Sequence, residues 1–326
     1  MLGRIAQTRH ARTAPSISIP RITTSFPSTP PPRKNTMSSD EAVAVLDAVA
    51  KRDEKLISDH VEAFHKAVTG QSDIDDALWA CWTRFFDIVD ETPPAEQERL
   101  VEFVVALKGF REKDGEGKVK VYEAKSGKLW EDLPSFGWVA RDRWNFGKHT
   151  IYCLSPCHNP MPPLIYPNAP IQSSGPRLTI TDVRDPKMTP EELTRCTNKA
   201  AFLARLTAIS TPKNSLDFSL YGLWALRDAF EAECPPTHSA ENAIRNAAVW
   251  IEFAGKTLWK LSVDGREFSD RLAIPGDKLA DKPWRGFCEE RWNVWRAGFE
   301  EVGSHAEEED VAEAKSLEKT GISQAS

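Results

Sequence analysis

Apolar side chains recur every three or four positions through most of the chain between Ser39 and Phe299, and a sequence so patterned can bury them only as amphipathic helices packed on one another. Val43, Leu46, Val49, Ile57, Val61, Phe64 and Val68 mark one long stripe. Ile74, Leu78, Trp82, Phe85 and Val89 mark a second, with Asp73 placed to cap it. Thr92-Pro93-Pro94 opens a third helix, where a missing N–H costs little, and Leu100, Val101, Val104 and Leu107 line its face. Thr189-Pro190-Glu191-Glu192 is a capping box with proline at the first helical position, followed by Leu193, Cys196, Ala200, Leu203 and Leu206 on one side. Leu220, Leu223 or Trp224, Arg227 and Phe230 carry the next helix. Ile244, Ala247, Ala248, Ile251, Gly255, Leu258 and Leu261 carry a longer one whose small residues invite close approach by a neighbour. Trp292, Trp295 and Phe299, spaced i, i+3, i+7, stack on one face of the last helix as core. The expected architecture is all-α: a single globular domain of about seven or eight helices, spanning residues 38–302.

Four stretches break the pattern. Residues 1–37 are rich in Ser, Thr, Pro and Arg and are expected to be a disordered tail or a mis-called start. They fit a mitochondrial presequence, being basic and free of acids; the preferred alternative is that translation begins at Met37, where Thr36 supplies an A three bases upstream and a capped helix follows. In "KVKVYEAKSGKLWEDL" the alternation of Lys118 to Val121 and the turn at Ser126-Gly127 suggest a short hairpin. Residues 147–185 are crowded with Pro, Ser and Thr and read as a disordered insertion. Gly147-Lys148 can be encoded with a donor-like GTAAR and Arg184-Asp185 with an acceptor AG, so this insertion reads as a retained intron whose removal joins "RDRWNF" through Asp to Pro186. Residues 303–326 have helix formers but little apolar face and are expected to be disordered or frayed.

Composition narrows the function classes. Arg4, Arg9, Arg12, Arg21, Arg33 and Lys34 are the only charges in the first 36 residues, so the net charge of −6 hides −12 in the remainder. A body that acidic lacks the electrostatic footprint of a nucleic-acid binder. No apolar run approaches the ~20 residues of a membrane span. The six cysteines are mostly isolated, which suits a reduced cytoplasmic protein. No G-x-S-x-G, G-x-G-x-x-G or Walker-type loop is present, so no catalytic residue or cofactor is assigned. Cys153, Cys157 and His158, with His149, match no strong zinc spacing, so no metal is expected. His60 and His65 lie on a charged helix and are expected to face solvent.

One block stands out, "LWEDLPSFGWVARDRWN" from Leu129 to Asn145, whose Pro and Gly argue for an ordered turn leading into a helix. With "NKAAFLARLTA", "AAVWIEFAG" and "GFCEERWNVW" it resembles a large fungal family of proteins of unknown function marked by W-x-D-L-P-x-F-G-W and G-F-x-x-x-R-W-x-x-W. That resemblance implies an all-helical fold without an assigned activity, and residues 147–185 depart from the family pattern. The block reads as a plug of aromatics where a non-helical segment crosses helices, with Asp132 capping or pairing with Arg141. Trp130, Trp138, Trp144, Trp250, Trp292 and Trp295 are expected in the core. Asp132, Arg141 and Arg291 are the candidate ligand-binding residues. The leading reading is a non-enzymatic binding or interaction module; the alternative is a small-molecule enzyme with a site assembled by the fold around those three.

Overall fold

The computed structural model describes residues 37–125, 127–153, 188–233, 238–269 and 271–305. The chain divides into two units between Thr36 and Met37, and all described residues belong to the second. Residues 1–36 and 306–326 of the expected tails and residues 154–185 of the expected insertion lie outside the described residues, as do 186–187; Met37 and residues 303–305, expected in the tails, belong to helices.

Among the described residues nine α-helices succeed one another: α1 Met37–Ala50, α2 Ile57–Thr69, α3 Ile74–Glu91, α4 Glu98–Gly109, α5 Phe136–Cys153, α6 Pro190–Ala208, α7 Ser219–Phe230, α8 His238–Val263 and α9 Glu289–His305. The architecture is all-α, with one small hairpin, β1 Glu123–Ala124 and β2 Gly127–Lys128, paired antiparallel. The local start signals are realised: Asp73 accepts from the Asp76 N–H, and Thr189 and Glu192 form the reciprocal capping box. The first stripe differs from expectation, because it is two helices. The chain breaks at Lys51, Arg52 adopts a φ of 53°, and α2 folds back on α1 so that Leu46 and Val49 meet the same core as Val61 and Phe64. Helix α5 also continues beyond Gly147 to Cys153, past the expected start of the insertion.

The core is built on α3 and α8. Helix α6 packs on both α8 and α3, and α7 packs on α8. Phe64, Trp82, Phe85, Phe86, Phe103, Phe136 and Phe202 form a continuous aromatic chain, with Trp82 and Phe136 edge to face at 5.0 Å. A second aromatic group joins Trp259, Trp292, Trp295 and Phe287 beneath α9. Phe230 seats against α9 where Gly298 leaves room: a Cβ there would lie 2.3 Å from the ring.

Candidate functional site

The Trp130 block is the most unusual piece of backbone among the described residues. Trp130, Leu133 and Ser135 take φ values of 65°, 48° and 66°, the left-handed region that bulky side chains avoid. Each such residue costs on the order of 1 kcal/mol or more, so surrounding contacts must hold the loop. Four do. The Trp82 indole N–H donates to the Pro134 carbonyl at 2.9 Å, and Lys108 Nζ donates to the Glu131 carbonyl at 2.7 Å. Asp132 Oδ2 accepts from the Lys128 N–H at 2.8 Å, next to Gly127, whose φ of 143° and lack of a Cβ let the carboxylate close the turn. The fourth is the Trp130 indole N–H, which donates to His65 Nδ1 at 2.9 Å.

That last bond leads into a polar relay. His65 Nε2 meets Glu112 Oε2 at 2.8 Å, Lys120 Nζ donates to Glu112 Oε1 at 2.6 Å, and the Tyr122 hydroxyl donates to Glu112 Oε2. The indole is only a donor, so Nδ1 must be the bare nitrogen and Nε2 carries the proton given to Glu112. Hydrogen bonds from Lys120, Tyr122 and His65 drive the Glu112 carboxyl down to about 2, and the same carboxylate pushes Lys120 and Tyr122 up. Beside the relay is a cavity of about 50 Å³ lined by His65, Glu112, Lys120, Tyr122 and Trp130. Metabolite sites run to roughly 300–1,000 Å³, so this one suits a water molecule or two.

His60 and His65 are therefore corrections: both are buried on α2, His60 bonded to Asp53 at 2.6 Å and His65 to Trp130 and Glu112. A signal existed, since His65 is four residues after Val61 and one after Phe64, inside the same apolar stripe.

The three expected ligand-binding residues go to different places and share no bonded partner among the described residues. Asp132 is exposed and holds the turn; Arg141 is exposed and pairs with Asp142 at 2.8 Å. The expected Asp132–Arg141 pairing is replaced by these two local bonds. Arg291 is wholly buried, a correction to its reading as a residue free for ligand. Its Nε and Nη2 grip Glu231 at 2.7 and 2.9 Å, and its other bonds go to the Ala273, Gly286 and Ile274 carbonyls. The Trp295 indole N–H also donates to Glu231, at 2.7 Å. A guanidinium with an internal carboxylate and three carbonyls organises the loop between α8 and α9 and has nothing left for a ligand.

Of the six tryptophans expected in the core, Trp130, Trp250, Trp292 and Trp295 are buried and Trp144 is partly buried. Trp138 is the exception, 44% exposed. It sits two residues after the buried Phe136, on the opposite side of α5, and the Arg141 guanidinium stacks on its ring at 4.3 Å. A further charged group went unseen in the sequence: Arg143, Asp87, Asp90 and Lys199 are all buried between α3, α5 and α6, with Arg143 Nη2 on Asp87 Oδ1 at 2.6 Å and Lys199 Nζ on the Arg143 carbonyl at 2.9 Å. Among the described residues no group of three His, Cys, Asp or Glu side chains could hold a metal ion, and no helix is long and apolar enough to cross a membrane.

Together these features define an all-helical protein organised around a clamped, strained loop. Residues 82–299, from the tryptophan that holds Pro134 to the phenylalanine that holds Phe230, match the family described as "Protein of unknown function (DUF3632)", and the chain belongs to that family. No curated protein and no solved structure matches the chain.

Proposed function

We propose that this chain is a non-enzymatic interaction module of a fungal protein family, which engages a partner protein through the outer face of α5 around Trp138 and Arg141. The observation that carries the reading is the Trp138–Arg141 pair itself: an exposed indole with a guanidinium stacked on its face, and that guanidinium fixed by Asp142 Oδ1 through both Nε and Nη2. Trp and Arg are the side chains most enriched where binding energy concentrates, and a pair already held in one geometry loses little freedom on binding. The small size of the cavity at His65 and the sealing of Arg291 weigh against a metabolite site at either place. The isolated cysteines favour the cytoplasm as its compartment, with mitochondria the alternative if residues 1–36 act as a presequence.

The test is affinity capture from cell extract with the full chain, compared with Trp138→Ala, Arg141→Ala and, as a control, Trp79→Ala on α3, the other exposed tryptophan at 40%. The first two should each lose the captured partner at least tenfold while melting like the parent, and the control should keep it. Capture indifferent to Trp138 and Arg141 would overturn the reading. So would a metabolite that raises the melting temperature, because a ligand that binds only the folded chain must stabilise it.

A further inference from the structure

We propose that His65 is an acid-sensitive latch on the Trp130 loop, because its acceptor nitrogen faces a group that can only donate. The indole N–H of Trp130 is buried and bonded to His65 Nδ1 at 2.9 Å. A proton added at Nδ1 sets one N–H against another and leaves a buried donor without a partner. The loop it would release is already strained at Trp130, Leu133 and Ser135, and it runs directly into α5. The two arrangements are thus neutral imidazole with the loop clamped, and imidazolium with Trp130 withdrawn.

The charged and titratable groups around the ring determine whether acid can reach it. After α4 stand Arg111 and Glu112; before β1, Lys120 and Tyr122; on β2 and the turn beyond it, Lys128 and Glu131. On α2 itself Glu62 and Lys66 flank His65 at the exposed surface. Glu112 attracts an imidazolium, but Lys120 at 2.6 Å offsets that attraction. Lys128 and Glu131 are paired with each other at 3.6 Å. Arg111 turns to the Lys108 and Phe110 carbonyls and adds a positive charge nearby. Against this mixed-sign surrounding, the hydrogen-bond conflict with Trp130 is the feature specific to Nδ1. His60, whose ring bonds to the Asp53 carboxylate, is the internal comparison on the same helix. This inference stands apart from the partner-binding reading, since it is read on Trp130 and His65 without any partner.

With 11 tryptophans in the chain, bulk fluorescence cannot isolate Trp130, so the measurement is nuclear magnetic resonance of the full chain, following the His65 ring nitrogens and the Trp130 indole proton from pH 8 to pH 5. At pH 8 the proton should sit on Nε2 and the indole proton should be protected from exchange. On acidification that protection should be lost in the same transition that protonates the ring. Trp130→Phe keeps the bulk and removes the opposing donor, so the His65 transition should move to higher pH. His65→Gln offers an acceptor and a donor without titrating and should keep Trp130 protected to lower pH; if it fails to fold, the Trp130→Phe comparison still decides. A Trp130 resonance that stays protected while His65 protonates would overturn the latch, as would a titration that Trp130→Phe leaves in place. A ring that takes no proton before the whole chain unfolds would overturn it too.

Discussion

Single side chains in this protein are distinguished by whether their polar atoms are answered inside the fold. Arg291 and Glu231 are both fully buried and bonded twice to each other, so removing either strands a charge. Truncating one partner of such a pair typically costs ~3–5 kcal/mol, comparable to losing a large buried aromatic. Arg291→Ala should therefore lower the urea midpoint about as severely as Trp295→Ala, whereas Arg141→Ala, on an exposed pair, should cost under about 1 kcal/mol. An Arg291→Ala protein as stable as the parent would contradict the structural role assigned here. The sequence places Arg291 next to Trp292 without showing which face of α9 it takes, and its partner is 60 residues away on the end of α7. Long-range ion pairs leave no periodic trace. His65 is the opposite case, since its position in the stripe could have marked it as buried although nothing local names Trp130 or Glu112 as its partners.

At the scale of elements, what was legible is what local chemistry decides. The Asp73 cap and the Thr189 capping box are set by residues within a few positions of one another, and each lies where the sequence implies; the hairpin pairs Glu123–Ala124 with Gly127–Lys128 instead of using the alternating Lys118 to Val121. The break between α1 and α2 was not legible, because it depends on α2 packing back on α1 rather than on a breaker in the sequence; nor were the left-handed residues at 130, 133 and 135, which distant side chains enforce. The join between α5 and α6 is where element geometry makes a prediction. Lys199 Nζ reaches the Arg143 carbonyl at 2.9 Å, and Lys199 lies nine residues into α6, about 13.5 Å along the helix from Pro190. A direct linker Phe146-Asp-Pro186-Lys187-Met188-Thr189 can span up to about 20 Å, more than that rise along α6. We propose that residues 147–185 are dispensable and derive from a retained intron. Sequencing cDNA across Asn145 to Thr189 should show a major product without them, and the joined protein, although it loses the 147–153 end of α5, should melt no lower than the full chain, since a shorter connection between α5 and α6 costs less closure entropy. Only full-length transcript, or a joined protein that unfolds, would dispose of the proposal.

For the whole molecule, the displaced ionisations define a window of pH in which the fold is most stable. On the acid side, Glu112 is driven to about 2 from 4.5, and Asp53, Asp73 and Glu290 are also lowered by the bonds they accept. For such groups the unfolded chain takes up protons first, so their contribution is complete above about 4.5 and is lost as pH falls through the folded value near 2. On the alkaline side, burial raises the Cys81 thiol from 9.0 to about 12 and the Tyr221 hydroxyl from 10.0 to about 12. These stay neutral in the fold, so the unfolded chain releases protons first; their contribution is complete below about 9 and fades as pH rises toward 12. Denaturant midpoints should accordingly fall on both sides of these limits. Glu112→Gln should flatten the acid limb between pH 4.5 and 2, and Cys81→Ala the alkaline limb between 9 and 12, each leaving the other limb unchanged. The alkaline limb should also steepen at low salt, because residues 37–326 carry twelve more acids than bases and their repulsion is screened by ions. If the Glu112→Gln and parent curves run parallel below pH 4.5, the carboxylate is not held by Lys120, Tyr122 and His65 as the structure shows, and the relay beneath the Trp130 loop loses its anchor.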